Sequence, residues 1–464
     1  MGQIADVAQL VEQDFRKVKV GGSIPLIGLI LSIMALAIGG QTIVLLLMAR
    51  FREVLKNRNF FLLWSGQIIS QLGDRLDQMA LIAFIYQRAP GSAIQIAKIL
   101  SFTIIPVFLI GPLAGVYVDR WDRRRTMYIC DFLRSILVFT IPFFLFYTKS
   151  LAPVYLIIFI IFSIGRFFVP AKLSIIPDLV DKKDLLIANS LVNTTGMIAA
   201  ILGFGISGVL VQWLGPKKGF YLDSLSFLIS GTFIFLISKR FVVAMNFKKV
   251  GQEIIEVIRK SVFQEIKEGV FYFIRNKDIR FTAGIIFALW SVLGAVYVVV
   301  IVFVQKTLHS ATKDLGLLVM FLGIGLFLGS LVYGKFGQRI SHYKVIFVSL
   351  ILSGIMLDIF ALGIHNYPNF ALAALLSLCL GLIIAPIMIA SNTIIHNVSD
   401  NGMLGKIFSS LEIVMHLGFL LFMFVSSMLA ERFSHLLILV IVGGLLSLLG
   451  LINLFFNRKA AWLN

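Results

Sequence analysis

Apolar runs of roughly 20 residues recur along most of this chain, and each is about as long as an α-helix needs to cross the hydrocarbon core of a bilayer. Backbone polar groups in lipid must be satisfied within the segment, so each run is read as a spanning helix. The first six fall at roughly 59–86, 93–117, 127–148, 153–171, 186–212 and 219–237. A second six follows at roughly 281–305, 312–334, 344–364, 368–390, 406–430 and 436–456. The expected fold is therefore all-α and membrane-embedded, built as two six-helix bundles. With 59% hydrophobic and only 14% charged residues, composition excludes an ordinary soluble domain.

The formal net charge of +18 is distributed between the spans, with no soluble domain to present it to a nucleic acid. Its placement sets orientation instead, because Lys and Arg are retained on the cytoplasmic side. Arg50, Arg52, Lys56, Arg58, Arg120, Arg123, Arg124, Arg125 and the basic residues of the 238–280 segment lie on one side, which holds far more of them than the other. Both ends of the twelve-helix unit are thus expected in the cytoplasm, with the protein in the inner membrane. The 238–280 segment is too polar to span. Its Ile254, Ile255, Ile258, Val262 and Ile266 recur at helical spacing, as in an amphipathic helix lying on the membrane surface between residues 48–237 and 281–464. Cys130 and Cys379, each inside an apolar run, read as small buried hydrophobes.

One further apolar run, Ile24 to Met48, would place Arg16, Lys17 and Lys19 on the wrong side. The stretch Val7 to Gln13 with Gly21 to Pro25 resembles a tRNA gene translated as protein. Residues 1–47 are therefore read as a start called too early, with an extra helix as the rival, and translation is expected to begin at Met48. Mass spectrometry of the purified protein should find its N-terminal peptide there; a peptide beginning upstream would refute the reading.

The densest motif joins the second and third spans, Gly111-Pro112-Leu113-Ala114-Gly115-Val116-Tyr117-Val118-Asp119-Arg120-Trp121-Asp122-Arg123-Arg124-Arg125. Gly111 and Gly115, four apart, offer a smooth face for a neighbouring helix. Asp119 could accept from that neighbour's N-terminus and pair with an Arg, forming a latch between halves; the rival reading is that the Arg run only enforces topology. In the second half Gly329 to Gly334, Gly337 and Arg339 keep glycines and basic residues without the Asp, so gating should be asymmetric.

Gln67, Gln71, Asp74 and Gln78 are spaced four, three and four on the first span and share one face, with Arg75 and Asp77 beside it. A carboxylate near the bilayer midplane costs several kcal/mol unless it meets water or a partner, so Asp74 is a candidate to exchange protons, with a structural ion pair to Arg75 or Arg166 as the alternative. Arg166 in the fourth span cannot neutralise itself and needs a carboxylate, a carbonyl or an anionic ligand. Asp131 and Arg134, three apart, should pair with each other or with the loop. In the second half, Glu412 and His416 at i, i+4 form either a polar couple in a cavity or a packing pair, and Asp358 is the other embedded acid.

These segments resemble the major facilitator superfamily. Gly115, Asp119, Arg120, Arg123 and Arg124 match its loop signature, and Gln71-Leu72-Gly73-Asp74 with Arg166-Phe167-Phe168-Val169-Pro170-Ala171 is similar to the macrolide-efflux and enterobactin-exporter-like branch. Tyr221 to Phe227, Lys267-Glu268-Gly269 and Gly405-Lys406-Ile407-Phe408-Ser409 extend the likeness. The resemblance implies a monomeric secondary transporter that exports a small amphipathic molecule by alternating access in exchange for protons, with Asp74, Asp77 and Arg166 as coupling candidates and Gln67, Gln71, Gln78, Glu412 and His416 lining the cavity. Gly203-Phe204-Gly205-Ile206-Ser207-Gly208 departs from the family's antiporter pattern by lacking Gly-Pro. A lysophospholipid translocator is the alternative, and a non-transporting receptor or scaffold the alternative of another class. No Walker loop, metal-ligand spacing or interfacial His/Asp/Ser cluster occurs, so neither an enzyme nor a cofactor is expected.

Overall fold

A computed structural model describes residues 51–111, 114, 118, 121–147, 150–238, 277–337, 340–398 and 404–456. Its long helices are α1 (Arg58–Arg88), α2 (Ala93–Leu109), α3 (Arg123–Tyr147), α4 (Ala152–Leu179), α5 (Leu185–Leu214) and α6 (Pro216–Phe235). They continue with α7 (Lys277–Thr307), α8 (Lys313–Phe336), α9 (His342–Asn366), α10 (Phe370–Val398), α11 (Leu404–Ala430) and α12 (His435–Phe456). Residues 1–47, most of the 238–280 connector, Gly115, Asp119, Arg120 and Arg339 lie outside the described residues, and the readings placed on them with them.

Helix starts follow local chemistry. Asn57 accepts from Asn59 N–H and Phe60 N–H at 3.0 and 3.3 Å, capping α1. Pro153 and Pro216 occupy first-turn positions where the missing N–H costs nothing. α4 runs eight residues past its expected end at 171, through Pro170 and Pro177, because the helix continues beyond the apolar run on which that boundary rested. By length and composition nine of the described helices could cross a membrane. The exceptions are α2, which is short, and α1 and α6, which carry polar residues in their middles.

Packing repeats with a six-helix offset. α1 packs on α5 and α6, α3 on α4 and α6, and α2 on α4; the same pairs recur as α7 on α11 and α12, α9 on α10 and α12, and α8 on α10. Across the halves α2 meets α11 and α5 meets α8, again exchanged by the repeat. Such parallel repeats about an axis along the membrane normal place a binding cleft between them. The outward faces of α3 and α9 carry exposed Ile136, Phe139 and Phe143, and Leu352, Ile355, Ile359 and Leu362, spacings that suit a lipid-facing stripe.

The two ends of the molecule differ. At the end where α2 and α8 begin, one apolar core runs through both halves and includes Ile85, Ala97, Val211 and Phe220 with Val302, Leu315, Phe360 and Ile438. At the other end the cores are separate. One holds Phe60, Met127, Ile176 and Ile187 of the first half, the other Ile285, Tyr333, Phe347 and Ile394 of the second. Among the described residues the halves are therefore closed on one side and parted on the other.

Small residues set how closely helices approach. Gly66, Gly73 and Ala80, seven apart on α1, face Ser230, then Ser226 with Asp223, then Gly219 on α6. A period of seven along antiparallel helices is the signature of shallow left-handed crossing. Gly208 and Gly316 bring α5 and α8 backbone to backbone, and Gly205 accommodates Met320. The helix 5 glycines thus serve the joint between halves. At Gly111 a Cβ would meet nothing within 4 Å among the described residues, so the close approach expected there is not seen among them. Gly381 and Gly325 are different, each pressed against the carbonyl side of the opposing helix between α8 and α10. Gly381→Leu should cost about 1–3 kcal/mol by overpacking, read as a lower unfolding midpoint in detergent. Gly284→Leu, where a Cβ meets open space, should leave the midpoint unchanged.

Candidate functional site

A band of charged side chains crosses the middle of the first half. Asp74 is the seventeenth residue of the 31-residue α1, hence close to its midpoint. Arg134 and Arg166 stand near the midpoints of α3 and α4. Asp74 lies within electrostatic reach of Arg134, Arg75, Lys172 and Arg166. It makes no hydrogen bond or ion pair among the described residues. The structural pair with Arg75 or Arg166 is therefore not formed. Arg75 turns instead to Gln78 Oε1, to which its Nη1 donates at 3.2 Å, and lies 4.7 Å from the ring centre of Phe204 on α5.

Asp131 and Arg134 do pair with each other, and their setting is more enclosed than their spacing suggests. Asp131 is 0% and Arg134 7% exposed. Ser230 Oγ donates to Asp131 Oδ2 at 2.6 Å, tying α6 to the pair. The guanidinium lies between two rings, 4.8 Å from Phe168 of α4 and 4.2 Å from Phe227 of α6. Ser135 and Ser224 exchange hydrogen bonds with each other's carbonyls at 2.8 Å nearby. This knot joins α3, α4 and α6 into one unit.

Asp77 is buried between α1 and α6 and is in electrostatic contact with Asp74 and with Asp223, an acid not singled out as a candidate. Asp223 sits over Gly73, with Ser226 Oγ donating to its Oδ1 at 3.2 Å. A carboxyl in a 20-residue apolar helix is itself a pointer to function, and that signal could have found it. Lys172 was missed because the fourth helix was ended one residue before it.

The remaining candidates separate. Gln67 is 4% exposed and enclosed rather than lining open space, because α1 packs tightly on α6 there. Gln71 faces Gly196 of α5, its Oε1 3.3 Å from where a Cβ would stand. Arg123 donates to Ser174 O at 2.9 Å and pairs with Asp178 at 2.7 Å, while Arg124 donates to the carbonyls of Ile234 and Phe235 at the end of α6. Both Arg residues bind within their own half, where a cation suits a helix C-terminus.

The second half meets this band through α11. Glu412 is exposed and faces Arg166, which lies within electrostatic reach of both Glu412 and Asp74. His416 Nδ1–H donates to the backbone carbonyl of Glu412 at 2.8 Å, so the couple between their side chains is not made. Its ring lies 5.1 Å from Trp290 of α7 and 6.1 Å from Phe108 of α2, an aromatic group drawn from both halves. Chemically, the arrangement offers one acid and cations on one wall of the cleft, and an acid beside aromatic rings on the other.

Two six-helix repeats around a cleft, with mid-membrane charges on its walls, define a multi-pass membrane transporter of the major facilitator fold. Residues 52–458 match the family described as transmembrane secretion effector, and the chain belongs to this family. It is 26% identical over 346 residues to the uncharacterized MFS-type transporter YkuC of Bacillus subtilis (strain 168), covering 71% of this chain and 76% of that protein. It is 22% identical over 384 residues to macrolide efflux protein A of Streptococcus pyogenes, covering 80% and 89%. Among solved structures, the nucleoside transporter NupG superposes with a TM-score of 0.67 at 14% identity, over 85% of this chain and 98% of that one. A bacterial homologue of the iron transporter ferroportin in its inward-facing state gives 0.65 at 13%, over 85% and 98%.

The enclosed pair allows a direct test. Asp131→Ala strands a buried guanidinium and should cost about 3–5 kcal/mol, whereas Asp131→Ala with Arg134→Met removes both charges and should recover most of it. Folded yield after solubilisation and the unfolding midpoint report the difference.

Proposed function

We propose that the chain exports a small amphipathic molecule by alternating access and admits protons through Asp74 in return. The observation that carries the reading is the chain of influence from Asp74 through Arg166 to Glu412, which crosses from one half to the other at mid-membrane. A proton or ligand taken up at Asp74 changes the field felt by a charge on the opposite half, and so couples occupancy to the relative position of the halves. Asp74 is suited to this because it carries no hydrogen bond or ion pair among the described residues that would hold it in one state.

Direction follows from charge and from kinship. Arg123, Arg125, Lys182 and Lys183 lie at the parted end, which the retention of positive residues assigns to the cytoplasm of a cell with this protein in its inner membrane. The structure then corresponds to a form open for loading from inside. Efflux is in the name of the streptococcal relative, and the rings of Phe108, Trp290 and His416 suit a ligand with an apolar body. The two halves, 48–237 and 281–464, work as rigid bodies joined by the 238–280 connector, and one chain suffices.

In proteoliposomes, Asp74→Asn should abolish transport driven by a pH gradient while leaving ligand-induced thermal stabilisation in place. Transport that persists under the same gradient would remove Asp74 from the mechanism. The ligand is found by thermal stabilisation against macrolides, siderophores and lysophospholipids, and stabilisation by lysophospholipids alone would replace export of a soluble compound with lipid translocation.

A further inference from the structure

At the closed end, each half caps a helix of the other. α2 begins at Ala93, with Ser92 before it accepting from Gln95 N–H at 3.4 Å. Glu431 follows the last residue of α11 in the opposite half. Its Oε1 accepts from Ser92 Oγ–H at 2.9 Å and from Ile94 N–H at 3.3 Å. The Ile94 N–H is one of the donors that an α-helix leaves without an internal partner in its first turn, and a carboxylate there also meets the positive end of the helix dipole.

The repeat carries α2 onto α8 and α11 onto α5, and the same construction recurs there. Thr312, the residue before α8, donates its N–H to Gln212 Oε1 at 3.1 Å and its Oγ1–H to the Gly208 carbonyl at 3.0 Å. Gln212 lies in the last turn of α5. One of the two lenders is charged and the other neutral. Arg432 directly follows Glu431 in the chain, and Lys217 and Lys218 lie shortly beyond Gln212. Lys306 at the end of α7 approaches Gly91, and His435 at the start of α12 is within electrostatic reach of both Lys306 and Glu431. Lys313 and Asp314 share the first turn of α8 and offset each other.

We propose that Glu431 and Gln212 are matched latches that hold the two halves together at the closed end, and that the charge on Glu431 makes the α2–α11 seam the stronger one. The proposal rests on the alternating-access reading, in which this end must part. The shared apolar core around it is non-directional and tolerates sliding, whereas the capping bonds are directional and are lost once donor and acceptor part beyond hydrogen-bonding distance. A carboxylate acceptor gives stronger bonds than an amide, so the two seams release unequally. Glu431 and Gln212 are positioning residues: they set how often the end opens and touch no ligand.

Pulsed electron–electron distance measurements in nanodiscs test this, on a chain with Cys130 and Cys379 replaced by Ser. One spin-label pair at Lys218 and Tyr367 reports the closed end; a second at Lys183 and Ile340 reports the parted end. Glu431→Gln keeps the shape and an acceptor but loses the charge, and should raise the ratio of parted to joined closed ends about fivefold, the factor that corresponds to about 1 kcal/mol for a charge at a helix N-terminus. Gln212→Glu should lower the ratio by a similar factor, and the combined variant should return it near its starting value. Unchanged distributions in both single variants, or shifts in the same direction, would overturn the latch. If the two label pairs in the otherwise unsubstituted chain never exchange long for short distances, alternating access itself fails and the latch with it. Exchange with silent variants rejects the latch alone.

Discussion

An ionised group in the middle of a bilayer has to be given water, a counter-charge or enclosure, and the layout of this transporter follows from how it meets that demand. Asp131 and Arg134 take enclosure: they pair with each other, Ser230 donates to the carboxylate, and Phe168 and Phe227 cover the guanidinium. That solution draws side chains from three helices, α3, α4 and α6. Asp74 and Arg166 make no ion pair with each other among the described residues and lie only within electrostatic reach of one another.

The second half is built on the same frame with little of this chemistry. α7 to α12 repeat the packing of α1 to α6 pair for pair, yet α9 and α12 meet through Gly354, Gly443 and Ser447 around a single acid, Asp358. What the second half brings to the cleft comes from α11 and α7, as Glu412, His416 and Trp290. The backbone is thus repeated between the halves while the charge is not.

Most of the fold was legible from apolar periodicity alone, because spans of fixed length are what lipid imposes. The twelve long helices among the described residues lie where expected, but α4 runs on through Pro177 and α10 to Val398 past their apolar runs, whereas α2 ends at Leu109, short of the expected 117. The site was legible in part. Asp74, Arg166 and the Asp131–Arg134 pair could be named from charge in apolar surroundings, but their partners could not, since spacing along one helix says nothing of what a neighbouring helix brings. That is how Gln78 rather than Asp74 receives Arg75, and how Arg166 comes to face Glu412, 246 positions away in the chain. Gly111 meets no described neighbour, and its spacing could not say whether one would arrive. A small residue permits close approach, but whether a neighbour arrives depends on which end of the molecule is shut.

The seven-residue ladder of Gly66, Gly73 and Ala80 against α6 has a mechanical meaning. At the first two rungs serine and aspartate side chains of α6 lie against bare backbone of α1, and at the third Gly219 lies against the Ala80 methyl, so a larger residue on either helix would force the two apart. Asp74 is one residue from the tightest rung. Its backbone is therefore held at the α1–α6 seam, so under the proposed alternating access a change in its surroundings would come from the opposite wall.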